Sequence, residues 1–151
     1  MKKIQMVDLM TQYQKIKPAV DEAILSVIEK AQFINGPEVI SFQKEMEDYL
    51  NVKHVIPCAN GTDALQIALM ALELQPGDEV IVPAYTYSAT ALAVLHCGAI
   101  PVMVDITGDF TIDVRLIETA ITSKTKVIMP VDIAGWPCDY DAINALVNKD
   151  S

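Results

Sequence analysis

The sequence predicts an α/β fold: a mostly parallel sheet with crossover helices. Two observations carry this. From His54 onward, short apolar runs alternate with stretches of helical spacing, in the order strand, helix, strand. The apolar runs are continuous rather than alternating with polar residues, as expected of strands covered on both faces. Strand–helix–strand repetition of this kind pairs strands in parallel and sends each connection across the sheet as a helix.

The elements follow in order. Ile16, Val20, Ile24, Val27 and Ile28 recur at helical spacing, with Pro18 expected in a first turn, where its missing N–H costs nothing. The segment FINGPEV breaks the pattern at Asn35-Gly36. A second helix restarts at Pro37, a good first helical residue, and runs through Val39, Phe42, Met46 and Tyr49. Residues 1–53 therefore read as a helical segment packing on a larger domain, and residues 54–151 as the first part of that α/β domain. Within it HVIPC reads as a strand, Asp63 to Leu74 as a helix, DEVIVPA as a strand and Ser88 to Cys97 as a helix. AIPVMVDI is the next strand, Asp113 caps a helix through Ile121, KVIMPVD is a fourth strand, and Tyr140 to Val147 is a last helix. The alternation halts just after a helix, which suggests a piece of a longer protein, with about two hundred residues to follow.

A length of 151 residues suits one domain with a real core, and 52% apolar content argues against disorder. A formal charge of −9 argues against nucleic acid and anionic membrane surfaces as partners. Asp8 and Gln12 interrupt the N-terminal apolar run too early for a signal peptide, and no apolar stretch approaches a membrane span. Cys58, Cys97 and Cys138 are odd in number and lack CxxC spacing, so free thiols in a reducing cytoplasm are expected, and no metal site.

Ligands of open parallel sheets gather at the carboxyl ends of the strands. Four loops leave such ends: ANGTD, PAYTYS, DITGDF and DIAGWPCD. In the first, Gly61 permits close approach of a ligand, and the helix start presents free amides from about Thr62 to Ala64, where the helix dipole favours an anion such as phosphate. The competing reading has Thr62 merely capping its own helix. The loop matches neither GxGxxG nor GxxxxGK[ST]. Tyr85 and Tyr87 stand among Thr86 and Ser88, a poor composition for interior packing, and suggest stacking on a planar heteroaromatic ligand. Asp139 is expected to cap the last helix, and Asp105 and Asp109 to make turns. Asp132 is either a loop anchor or a ligand contact.

The segments FINGPEV, VKHVIPCANGTDALQIAL, GDEVIVPAYTYSATALAVLHCGAIPVMVDI and TKVIMPVDIAGWPCDYDAI, in this order, resemble the DegT/StrS family of sugar-nucleotide aminotransferases. The resemblance runs from Val7 to Ile143. It implies the large domain of a fold type I pyridoxal-phosphate enzyme, similar to aspartate aminotransferase. It further implies that Gly61, Thr62 and Asp63 bind the cofactor phosphate, Thr62 by its hydroxyl and Asp63 by its backbone amide, and that Tyr87 stacks on the pyridine ring. Asp132 and Trp136 fall at substrate-facing positions where many relatives carry histidine and glutamine. The family's Schiff-base lysine and the aspartate that pairs with the pyridinium nitrogen match no residue here and are expected beyond residue 151, so that the 151 residues alone would be inactive. The partners implied are a keto sugar nucleotide, an amino acid donor and a second copy of the chain in a homodimer. The alternatives are a sugar dehydratase on the same scaffold and a non-catalytic binding or regulatory domain.

Overall fold

The computed structural model describes residues 6–149. The chain divides at Pro57/Cys58 into two compact units. The first is helical. Helix α1 (Leu9–Lys30) begins at Asp8, whose carboxylate accepts from the Thr11 amide at 2.9 Å. Pro18 therefore lies in the helix interior rather than in its first turn. The early cap extends the helix by two turns ahead of the apolar stripe, and the residue that was expected to start the helix is carried within it. Helix α2 (Pro37–Leu50) follows a sharp loop in which Asn35 adopts a left-handed backbone. Gly36 is required there, because a Cβ at this position would collide with the Gln32 carbonyl.

The second unit is a three-layer α/β arrangement. Helix α3 (Gly61–Met70) leads into β1 (Glu79–Pro83), α4 (Ala89–His96), β2 (Ile100–Val104), α5 (Val114–Ala120) and β3 (Thr125–Ile128). A single 3-10 turn (Ile133–Gly135) and α6 (Tyr140–Lys149) complete it. The three strands are parallel in the order β2-β1-β3, with Ile81 opposite Val102 on one side and Ile128 on the other. The residues expected to form a strand at His54–Cys58 do not, although their composition fits one. No strand lies beside them among the described residues, Ile56 is 75% exposed, and Pro57 has no N–H to give a ladder.

The strand residues face opposite layers in turn, as the pleat requires. Val80 and Val82 pack with Leu69 of α3, Ala93 and Val94 of α4, and Ala99. Ile81 and Val104 pack on the other face with Ile112, Ile117 of α5, Cys138, and Ile143 and Leu146 of α6. The chain thus leaves β1 toward one face and leaves β2 and β3 toward the other. This reversal lies at the carboxyl end of β1, which is where ligands of such sheets bind.

Candidate functional site

The β1, β2 and β3 loops expected to carry function leave the sheet at that edge, where Tyr85 of the first touches Phe110 of the second. The ladder continues past the strands, with the Ala84 amide donating to Val104 O at 2.7 Å and the Met129 amide to Ile81 O at 2.8 Å. These bonds fix where the β1 and β3 loops depart. Helix α3 ends with Leu69 buried against Val80 and Ala99, next to the amino ends of β1 and β2, so its first turn points toward the carboxyl edge.

That first turn is capped by Asn60. Its Oδ1 accepts from the Asp63 amide at 3.0 Å, and its Nδ2 donates to Asp63 Oδ2, also at 3.0 Å. The Ala64 amide is taken by Asn60 O at 3.1 Å. Among the described residues the open donors are therefore the amides of Gly61 and Thr62, not the stretch from Thr62 to Ala64 that the sequence suggests. Thr62 does not cap the helix, and its hydroxyl makes no hydrogen bond among the described residues. The Asp63 amide, expected to face a phosphate, is committed to Asn60. The Asn60–Asp63 spacing is that of a capping box, but Asp63 accepts from the Asn60 side chain rather than from its backbone amide. A Cβ built on Gly61 would meet nothing within 4 Å, so the space beside that glycine is clear.

Tyr87 is 78% exposed on the β1 loop, and its ring has no ring or hydrogen-bond partner among the described residues. Tyr85 behaves differently. Its ring packs on Phe110 with centroids 5.5 Å apart and planes tilted by 38°. Phe110 lies in the β2 loop, a small hairpin closed by a bridge between Ile106 and Ile112. Asp109 organises this hairpin, accepting from the hydroxyls of Thr107 and Thr111 and from the Thr111 amide at 3.1 Å. These donors, the Thr107 hydroxyl foremost, hold its carboxyl down from the ordinary 3.8 to about 2, and the Trp136 indole adds to the effect.

The β3 loop is held by Asp132, whose Oδ1 accepts from the Cys138 amide at 2.9 Å and the Tyr140 hydroxyl at 3.0 Å. Both bonds, the Cys138 amide first, lower the Asp132 pKa. Of the two roles open to Asp132, these contacts supply the loop anchor. Trp136 is exposed on the same loop. Burial pushes the Cys138 thiol up, which favours its protonated form at neutral pH. Asp139 caps α6 through the Ala142 amide at 3.0 Å, as expected. Lys124 and Lys126 lie at the amino end of β3, away from the loops described. In the first unit, an open depression of about 550 Å³ is lined by Phe33, Ile34, Gly36 and Ile40 and offers no titratable side chain.

The site fits a phosphorylated aromatic cofactor. Two unpaired amides and a free hydroxyl at a helix start match a phosphate, and an unpartnered tyrosine face matches a flat ring.

Comparison with known proteins agrees. The sequence model of the DegT/DnrJ/EryC1/StrS aminotransferase family matches residues 14–151. The chain is 48% identical over 147 residues to the UDP-2-acetamido-2-deoxy-3-oxo-D-glucuronate aminotransferase of Pseudomonas aeruginosa, covering 97% of this chain and 41% of that protein. It superposes on DesV of S. venezuelae with a TM-score of 0.94 at 38% identity, over 99% of this chain and 41% of the other. NtdA of Bacillus subtilis, solved with bound cofactor PMP, gives 0.87 at 37% identity, over 99% of this chain and 35% of the other. The chain thus spans about two fifths of the length of these relatives. The family match over residues 14–151 and the superposition on its solved members show that the chain belongs to the DegT/DnrJ/EryC1/StrS aminotransferase family, with the fold type I architecture of those members.

Proposed function

We propose that the protein carrying this chain is a pyridoxal-phosphate-dependent aminotransferase that converts a keto sugar nucleotide into an amino sugar nucleotide, with an amino acid as nitrogen donor. The observation that carries the reading is the start of α3, where the Gly61 and Thr62 amides and the Thr62 hydroxyl have no hydrogen-bond partner among the described residues, while Asn60 takes the Asp63 and Ala64 amides. When bound, the cofactor supplies an electron sink that lets an amino group pass between donor and sugar. The residues of this chain bind and orient. Gly61 and Thr62 hold the phosphate dianion, helped by the helix dipole. Tyr87 covers one face of the ring, and the β2 and β3 loops leave the sheet at the same edge. Trp136 stands exposed where a sugar would enter, and Asp132 acts on that contact by holding the loop. The amine that binds the cofactor covalently is not assigned to Lys124 or Lys126, which lie at the opposite edge.

Among the described residues, no helix is long and apolar enough to cross a membrane. We place the protein in the cytoplasm, where sugar nucleotides and free thiols are both kept, and as a homodimer. The test is to titrate the full-length gene product with pyridoxal phosphate and then supply an amino acid and UDP- or dTDP-linked keto sugars. Saturable cofactor absorbance and an aminated sugar nucleotide are expected. Failure to bind the cofactor would overturn the reading.

A further inference from the structure

Phe110 has a backbone that large residues seldom adopt. Its φ is +70°, in the left-handed region that favours glycine, although nothing in the turn forbids glycine there. A strained conformation that persists beside the proposed cofactor site invites a hypothesis of function. The surroundings over-determine it. The Phe110 amide donates to Thr107 O at 3.1 Å, the Thr107 amide to Thr111 O at 2.9 Å, and Asp109 ties both threonine hydroxyls. What the conformation achieves is placement: the Phe110 ring leaves the β2 loop and lies against Tyr85 of the β1 loop. Two residues further on, the same β1 loop presents Tyr87. Within that loop, the bonds that hold Tyr87 are few: Thr90 N to Tyr87 O at 3.1 Å, and the Thr86 and Thr90 hydroxyls at 3.2 Å.

We infer that Phe110 is a positioning residue for the cofactor ring: locked left-handed by the Thr107–Asp109–Thr111 turn, it buttresses Tyr85 and so fixes the loop that presents Tyr87. The inference rests on the cofactor site proposed above. It differs from mere packing in its consequence. Both Tyr85 and Phe110 are more than half exposed, so their contact contributes little to the core, and its loss should be felt in the orientation of the ring that Tyr87 covers.

The experiment compares Phe110→Ala, Phe110→Tyr and Tyr87→Ala in the full-length gene product. The readouts are the Kd for pyridoxal phosphate, the visible circular dichroism of the bound cofactor, and the thermal midpoint of the cofactor-free protein. Losing one aromatic pair should raise the Kd of Phe110→Ala by about two- to tenfold and diminish the dichroic band. Phe110→Tyr should restore both to near the wild-type values. A wild-type Kd and band in Phe110→Ala overturns the inference whatever the midpoint does, and so does a loss that Phe110→Tyr repeats in full. If Tyr87→Ala weakens binding while Phe110→Ala does not, only the inference falls. If Tyr87→Ala leaves the Kd unchanged, the ring reading of the site falls and takes the inference with it.

Discussion

Asn60→Ala and Thr62→Val, made separately and compared in the cofactor-free protein, test which residue the fold needs at the start of α3. Asn60 makes two bonds to Asp63, each 3.0 Å long, and one of them satisfies an amide that the helix cannot satisfy itself. Replacing an asparagine cap with alanine costs about 1 kcal/mol, within a range of roughly 0.5–2. That lowers the thermal midpoint by about 2–4 °C where the cooperative unit is about 150–250 residues, and by less in a larger one. Thr62 makes no hydrogen bond among the described residues. Valine has nearly its shape and a similar helix propensity, so Thr62→Val should move the midpoint by less than about 1 °C. Thermal unfolding followed by far-ultraviolet circular dichroism reads both. A Thr62→Val loss as large as that of Asn60→Ala would refute the assignment, since Thr62 would then be serving the helix rather than standing free for a ligand.

Two further outcomes follow from the same geometry. Ile81 is fully buried at the centre of the middle strand, so Ile81→Ala should destabilise by about 2–5 kcal/mol in chemical denaturation, whereas a loss below about 1 kcal/mol would mean that β1 is not the centre of the sheet. Asp109 has a folded pKa of about 2, below its ordinary 3.8; its contribution is therefore complete above about pH 4 and is lost as pH falls toward 2. Asp109→Asn should lower stability at pH 7 and flatten the pH dependence between 4 and 2; an unchanged acid profile would show that the Thr107 and Thr111 bonds do not bear on stability.

The legible part of this fold was its continuous apolar runs. EVIVP, IPVMV and TKVI became strands, but only EVIVP, in the middle of the described sheet, is buried along most of its length; Ile100 and Met103 of β2 stay exposed although IPVMV is wholly apolar, because composition does not report which positions a neighbour covers. HVIPC has the same composition and fails, because a strand needs a neighbour as well as a sequence, and composition does not report the neighbour. The α3 start was half legible. Asn60 and Thr62 are both good caps, two positions apart, and only the bond to Asp63 decides between them. Asp113 and Asp139, by contrast, each stand alone before a helix and were readable as caps without the structure. The left-handed backbone of Phe110 carries no sequence signal, because at such a position a sequence points to glycine or asparagine.

Whether the α3 start holds the phosphate of pyridoxal phosphate is read from cofactor affinity in Thr62→Val of the full-length gene product. A hydrogen bond to a charged partner is worth roughly 1.5–3 kcal/mol, so losing the hydroxyl should weaken binding by about tenfold to a hundredfold. The cofactor-free midpoint should stay where it was. An affinity equal to the wild type would contradict the account.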